Sequence, residues 1–324
     1  MMKKVKAGNL RFIIPIILVF LFLFPLWKSD IYYLSFGFIL FTYIALACSW
    51  NIIGGYAGYL SFGHVAFFGI GAYTTALFLE HFGLSPFYTC LLGGIFGAIV
   101  AGIFGYPCLR LKGPYFALVT LCLALVMPVV ASHLELTHTV VGIWMPTLPF
   151  SGFTSRAIFY EAMLALMLVI ILACRRIERS KFGLGLSSIR EDEDTAQTLG
   201  VDTARLKVAA FMLSAFFTGI VGGIYAYYRT YIAPSLVFDV FMSIIIVMMA
   251  ILGGRQSWIG PVIGASILTI ISEVTTAYLA IGVEFSRMIY GLLLVIIIMF
   301  LPNGLLPYIR RRHSPQRKEE LTAS

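Results

Sequence analysis

Apolar residues run along this chain in blocks of roughly twenty, divided by short polar or glycine-rich breaks. A helix needs about 20 mostly apolar residues to cross the hydrocarbon layer of a bilayer. That length predicts ten spans, at 10–27, 31–53, 61–80, 86–107, 114–131, 157–174, 208–230, 240–253, 259–280 and 286–302, the eighth being short. The expected fold class is all-α: a polytopic membrane protein in which residues 1–324 form a single transmembrane domain. One stretch breaks the pattern. From Arg175 to Lys207 the chain reads RRIERSKFGLGLSSIREDEDTAQTLGVDTARLK, with seven basic and six acidic residues between apolar blocks. A protein built only to occupy a bilayer has no need of such a segment; one that grips a soluble partner does. The long polar connection 132–156 carries Pro146, Pro149 and glycines, which predict a structured loop with little regular helix.

The polar island has a pattern of its own. Ser188-Ile189-Arg190-Glu191 has the form of a capping box, in which serine and glutamate satisfy the first free amides of a helix. The acids Glu191, Asp192, Glu193 and Asp194 then fall in the first turn, where the helix dipole favours them. Ile189, Ala196 and Leu199 make a thin apolar stripe, Gly200 suits the position after the last turn, and Asp202 or Thr203 caps the next span. The expected element is a helix from about Ser188 to Leu199, roughly 16–18 Å long. Two roles are open to it: a solvated connector, or an element laid in a partner's groove.

Composition agrees with the span count. The 324 residues are 60% hydrophobic and only 12% charged, with mean hydropathy +0.94, where soluble domains carry about 25% charged residues. The net charge of +8 invites a nucleic-acid partner. The basic residues, however, flank apolar blocks as membrane-bordering charge does. Basic residues concentrate on the cytoplasmic side of a membrane. With the N-terminus inside, ten spans place 19 of 23 basic residues inside and leave Lys28, Arg156, Arg229 and Arg287 outside. Nine or eleven spans would strand either the island or the tail. Both termini are thus expected in the cytoplasm, with 175–207 a cytoplasmic coupling loop and 308–324 a cytoplasmic, lipid-touching tail.

Lys3, Lys4 and Lys6 before an apolar run resemble a secretory signal, but no A-x-A site follows and further spans do, so the first block is expected to stay as a helix. Cys48, Cys90, Cys108, Cys122 and Cys174 sit in or beside apolar blocks without a C-x-x-C, as small hydrophobes. There is no phosphate-binding G-x-x-x-x-G-K-[ST], H-E-x-x-H or G-x-S-x-G, and the five histidines lack metal-ligand spacing. No enzyme, cofactor or metal site is expected, and any use of ATP belongs to another chain.

Small residues recur four apart at Gly93 and Gly97, at Gly94, Ala98 and Gly102, and at Gly219 and Gly223, a spacing that lets helix backbones approach closely. Gly54-Gly55 ahead of Gly63 and Ala66 is echoed by Gly253-Gly254 ahead of Gly260, Gly264 and Ala265, as in parallel transporter repeats. The break through Gly54, Gly55, Gly58, Ser61, Gly63 and His64 is the first candidate for a substrate path. Ser61 is placed to cap the third span, whose amide end favours a carboxylate; a plain glycine-rich turn is the alternative. His64 is expected as a hydrogen-bonded interfacial residue. Glu273 lies in the ninth span, where a charge costs about 2.5–3.5 kcal/mol on insertion scales, so it faces protein or water, or sits near the outer interface. Asp239, Arg229 and Arg156 border the outer surface, either docking a soluble protein or anchoring the spans.

The stretch GLGLSSIREDEDTAQTLGV (183–201) resembles the ATPase-contacting loop of the LivM-type permeases of branched-chain amino acid ATP-binding cassette importers. KVAAF (207–211) through Gly219, Gly222 and Gly223 is similar to the same family, as are GGYAGYLSFGHVAFFGIGAY (54–73), KGPYFALVTLCLA (112–124), ILGGRQSWIGPVIGA (251–265) and LPNGLL (301–306). The resemblance covers nearly the whole chain after residue 40. It implies a multi-pass, type II-like permease subunit in a bacterial inner membrane, forming half of the translocation path for branched-chain or other aliphatic amino acids. The partners it implies are a second permease subunit, two ATP-binding subunits and a periplasmic or extracellular substrate-binding protein. Ser188, Arg190, Glu191, Asp194, Ala196, Leu199 and Gly200 are then the expected ATPase-coupling residues. One departure stands out: Leu136-Thr137-His138-Thr139-Val140-Val141-Gly142 replaces the family's Thr-Gly-Gly segment with its nearby Asp or Asn, which bears on the substrate or the binding protein. A permease for urea, short amides or another small polar solute is the alternative function. A secondary transporter is a further one, although ion coupling calls for more intramembrane acids than this chain has.

Overall fold

The computed structural model describes residues 21–25, 30–111, 113–134, 141–275, 292 and 304–306. Among them are seven helices long and apolar enough to cross a membrane, followed by a shorter apolar helix. They correspond to the predicted second to eighth spans and the start of the ninth. Most of the first and tenth spans, the 308–324 tail and residues Thr137 to Val140 lie outside the described residues.

Helix α1 (Ile31–Asn51) runs into a π-helical turn (Ile52–Tyr56) and an irregular stretch, and α2 (His64–Phe82), α3 (Pro86–Cys108) and α4 (Pro114–His133) follow. After β1 (Ile143–Trp144) come α5 (Gly152–Glu178), two short helices α6 (Lys181–Glu191) and α7 (Glu193–Thr198), and α8 (Thr203–Arg229). Then come β2 (Tyr231–Ile232), α9 (Pro234–Val237), α10 (Val240–Gly253) and α11 (Ile259–Glu273). Local chemistry sets several of these starts. Pro86, Pro114 and Pro234 open their helices where a missing N–H costs nothing. Ser151 and Asp202 accept from the first-turn amides of α5 and α8.

Helix α8 is the axis of the bundle, with α3 and α2 laid most extensively along it. The three backbones meet at glycines. A Cβ at Gly71 would overlap the carbonyl of Gly219, and one at Gly219 would stand 2.6 Å from the carbonyl of Gly93. In the same way α10 and α11 cross at Gly253, Gly260 and Gly264, each facing the other's backbone without room for a side chain. Large apolar residues remain exposed on α3 and α4, among them Ile99, Ile103, Leu118, Leu125 and Val129, the faces such a bundle turns to lipid or to another subunit.

The connections gather at two ends. At one, β1 and β2 form a short antiparallel ladder, Ile143 opposite Ile232 and Trp144 opposite Tyr231. This is the only regular structure described between α4 and α5. Gly142 has φ +80° and its Cβ would overlap the carbonyl of Ile232, so that position admits only glycine. At the other end the breaks after α1, α3 and α10 converge on the polar island.

Candidate functional site

The glycine-rich break begins inside α1. Its last turn widens to a π-helix over Ile52–Tyr56, a distortion often found at functional positions. Fully buried Trp50 lays its ring over Gly54, where any side chain would collide, and its Nε1 donates to the Ser61 carbonyl at 2.7 Å. Gly58 takes φ +80° and turns the chain. Helix α2 then starts at His64 behind Gly63, not behind Ser61. The Ser61 hydroxyl accepts from Gly63 N at 3.3 Å instead of capping the helix.

The amides at this helix start are already used. Phe62 N donates to Thr120 Oγ1 at 3.1 Å, and Val65 N donates to Ser243 Oγ at 3.0 Å. These bonds, with that of Gly63 N to Ser61, tie the break to α4 and α10 and make it a joint between α1 and α2. His64 is buried, its Nε2 2.6 Å from Ser214 Oγ, and that hydroxyl donates to the Ser49 carbonyl at 2.6 Å. One hydroxyl proton cannot serve both bonds, so His64 donates from Nε2 and its buried Nδ1 is the lone pair left without a partner. The hydrogen bonding expected of His64 is thus present.

The polar island corrects the single helix expected from Ser188 to Leu199. Helix α6 starts seven residues earlier, at Lys181, capped by Ser180, which accepts from Gly183 N at 3.1 Å. Ser188 lies inside that helix and donates to the Leu184 carbonyl at 3.0 Å, so Ser188 and Glu191 form no capping box. Gly183 and Gly185 lie inside α6, where glycine costs helix propensity. Gly183 is required, because a Cβ there would overlap the carbonyl of Ile177, whereas a Cβ at Gly185 would meet only Leu206 Cδ1 at 2.7 Å, the end of a side chain that can shift. The chain breaks at Asp192 (φ −160°, ψ 112°), whose side chain accepts from Thr195 N at 2.9 Å and starts α7, with Asp194 in its first turn.

The apolar stripe is corrected as well. Ile189 and Ala196 are packed inside this chain, Ala196 being only 2% exposed, whereas Leu199 is 78% and Leu184 64% exposed. Gly200 behaves as expected, with φ +85° after the last turn.

These pieces meet in a buried latch. Lys207, near the start of α8, has 4% of its side chain exposed and lies 2.5 Å from Glu193 Oε1 of α7. Its ammonium also donates to the Leu109 carbonyl at 2.8 Å and to the Tyr59 hydroxyl at 3.1 Å. Tyr59, in the break, donates in turn to the second oxygen of Glu193. Burial, and then the Glu193 carboxylate beside it, push the Tyr59 hydroxyl well above its usual range, so it stays a neutral donor. Next to the latch, Arg190 donates to the Gly55 carbonyl at 3.2 Å and to Glu191 at 3.0 Å, and its side chain covers Gly58. Asn51 Nδ2 reaches the Ser257 carbonyl at 3.4 Å, and Glu178 accepts from Trp258 N at 2.8 Å. The two glycine-rich breaks noted in the sequence are thus tied to each other and to the island.

Sequence analysis missed Lys207, Glu193 and Tyr59 as a group. The signal available was register: Lys207 shares a helix face with Phe211, Ser214 and Thr218, all buried.

Glu273 does not join this cluster. It accepts from the Tyr32 hydroxyl at 2.6 Å, at the opposite end of α1 from the break. Arg156 and Arg229 lie over the rings of Tyr228 and Tyr225 at 4.4 and 5.9 Å. Among the described residues no three His, Cys, Asp or Glu side chains are grouped to hold a metal. The island and the break are joined directly, through Lys207, Glu193 and Tyr59 and through Arg190 and Gly55.

A family model described as "Branched-chain amino acid transport system / permease component" matches residues 32–298. A high-affinity branched-chain amino acid transport system permease protein LivM of Salmonella typhimurium is 31% identical over 296 residues, 83% of this chain and 68% of the relative. LivM of Escherichia coli is likewise 31% identical, with the same coverage. The Escherichia coli permease protein LivH is 25% identical over 288 residues, 82% of this chain and 91% of its own. No solved structure matches.

Proposed function

The chain belongs to the branched-chain amino acid transport system permease family, and from that premise we propose that it forms half of the translocation path of an ATP-driven importer of aliphatic amino acids. It is a multi-pass membrane permease component and not itself a catalyst. Its expected place is a bacterial inner membrane, crossed ten times in the type II-like manner with both termini in the cytoplasm. A second permease subunit completes the path. Two ATP-binding subunits sit against the α6–α7 end, and a soluble binding protein delivers substrate at the β1–β2 end.

The observation that carries this proposal is the latch of Lys207, Glu193 and Tyr59. A loop that merely joined two spans would need no buried ion pair to the break. With the pair in place, a push on α7 reaches the Gly54–Gly63 joint, because separating a buried charge from its partner costs about 3–5 kcal/mol. The exposed Leu184 and Leu199 supply apolar surface for a partner's groove.

Leu199→Arg tests the reading in the full complex reconstituted in proteoliposomes. The substitution touches no packed position, so the chain should insert normally. Leucine uptake and substrate-stimulated ATP hydrolysis should fall together, at least tenfold, and co-purification of the ATP-binding subunit should weaken. Wild-type coupling in a well-inserted Leu199→Arg complex would remove the docking role. Ala196 is the wrong position for this test, since arginine there would disrupt the chain's own packing. Uptake of labelled urea in place of leucine by the wild-type complex would replace the substrate assignment with the small-amide alternative.

A further inference from the structure

Arg156 stands in the second turn of α5, at the β1–β2 end of the bundle. Its guanidinium lies over the ring of Tyr228, 4.4 Å from the centroid. That ring is itself held in place: Phe38 stacks on it at 3.8 Å, and Phe159 meets it edge-on at 5.7 Å. A guanidinium stacked in this way keeps its N–H donors, which lie in its own plane, for an acceptor. Arg156 is half-buried, yet among the described residues no carboxylate pairs with its side chain and no oxygen accepts from it.

Arg156 and Tyr228 belong to the wall of a cavity of 280 Å³. Buried Phe159 and Tyr227 and partly exposed Leu148 give it apolar surface, and among the described residues no Asp or Glu lines it. Thr230, also in the wall, is alone among the described non-glycine residues in having a positive φ, +58°. Its carbonyl accepts from Met145 N at 2.8 Å, which ties this wall to the ladder of β1 and β2. A β-branched residue is rarely held in that conformation, and such backbone outliers gather at binding sites.

One cation, no acid and an apolar wall complement an aliphatic carboxylate. We propose that this cavity is a receiving site for an aliphatic amino acid, which binds by its carboxylate at Arg156 before it reaches the membrane path. The aliphatic side chain lies against Phe159, Tyr227 and Leu148. The α-ammonium, for which the cavity holds no acid, stays at its open side. The site thus reads the carboxylate and the aliphatic chain and disregards the ammonium. Its volume lies just under the roughly 300–1,000 Å³ of drug-sized sites, and a hollow of that size with buried rings in its wall suits a small molecule. This assignment rests on the importer function and on delivery of substrate at the β1–β2 end, and adds a ligand contact to them.

Equilibrium binding of labelled leucine to the purified complex, without the binding protein, tests the site. Arg156→Gln leaves the Ser151 cap of α5 in place, so the complex should assemble, and its affinity for leucine should fall at least tenfold. Arg156→Lys should fall in between, since lysine keeps the charge without the planar fork. Isocaproate, which is leucine without its amino group, should bind the wild type within threefold of leucine, and isoamylamine, which lacks the carboxylate, should not bind. Leucine affinity within twofold of wild type in an assembled Arg156→Gln complex overturns the site. So does a wild-type complex that imports leucine yet binds no isocaproate. Weaker association of Arg156→Gln with the binding protein, at unchanged leucine affinity, also overturns it and makes the arginine a dock for an acidic side chain of that protein. If Arg156→Gln fails to assemble, Thr147→Trp, which fills the cavity from an exposed position, decides: unchanged leucine affinity there overturns the site. A wild-type complex that imports no aliphatic amino acid even with its binding protein would instead remove the importer function on which the site rests.

Discussion

Lys207 holds a full positive charge where only 4% of its side chain is exposed, against Glu193 at 16%. Such a pair adds little to stability as a whole, because desolvation offsets the attraction, but removing one partner leaves a buried charge uncompensated. Glu193→Gln is therefore expected to destabilise the chain by about 3 kcal/mol, the low end of the range because the Leu109 carbonyl and the Tyr59 hydroxyl still accept or surround the ammonium. Adding Lys207→Met to Glu193→Gln should recover much of that loss. The thermal unfolding midpoint of the purified complex measures both. A single Glu193→Gln variant as stable as wild type would show that the pair is solvated and not a latch.

At the scale of elements, the break and the island behave as one unit. The π-helical turn widens the end of α1 and presents the Gly55 carbonyl to Arg190 of α6 at 3.2 Å. Arg190→Ala removes that link and the cover over Gly58, while α6 keeps its own cap at Ser180 and its buried face at Leu186 and Ile189. The helix should thus still form and still bind its partner, but its movement should reach the break less fully. We expect ATP hydrolysis to persist while the amount of leucine imported per ATP falls severalfold. Simultaneous measurement of phosphate release and uptake reports this ratio, and an unchanged ratio would mean that the latch alone carries the coupling.

For the whole molecule, the polar connections fall at two ends, the β1–β2 ladder at one and the latch at the other. On the positive-inside rule we propose that the latch end faces the cytoplasm. Exposed Thr154, at the start of α5, and exposed Thr195, in α7, mark the two ends. Thr154→Cys should react with an impermeant thiol reagent applied to intact cells, and Thr195→Cys only after the membrane is opened. Cys48, Cys90 and Cys174 are buried, so Cys122 and Cys108 are the background thiols to replace first. The reverse labelling pattern would invert the protein and place the latch out of reach of any ATP-binding subunit.

The sequence by itself determined the second to eighth apolar spans and their order, because hydrophobic length is a local property that a bilayer reads directly. It also determined Gly200, where a left-handed turn was legible from position after a helix, and the close helix approach at Gly93 and Gly219. Only the tertiary structure decided what the glycines and charges inside the island were for. Gly183 lies inside a helix, where glycine is unfavourable, and only the Ile177 carbonyl pressed against it shows that no Cβ fits there. Lys207 and Glu193 look like solvated charges until Tyr59 and the end of α3 close over them. The stripe of Ile189 and Ala196 looks available to a partner until the chain packs it on itself. In each case the deciding contact joins residues far apart in the chain, and a pattern of nearest neighbours carries no record of which distant surface will exclude water from a given side chain.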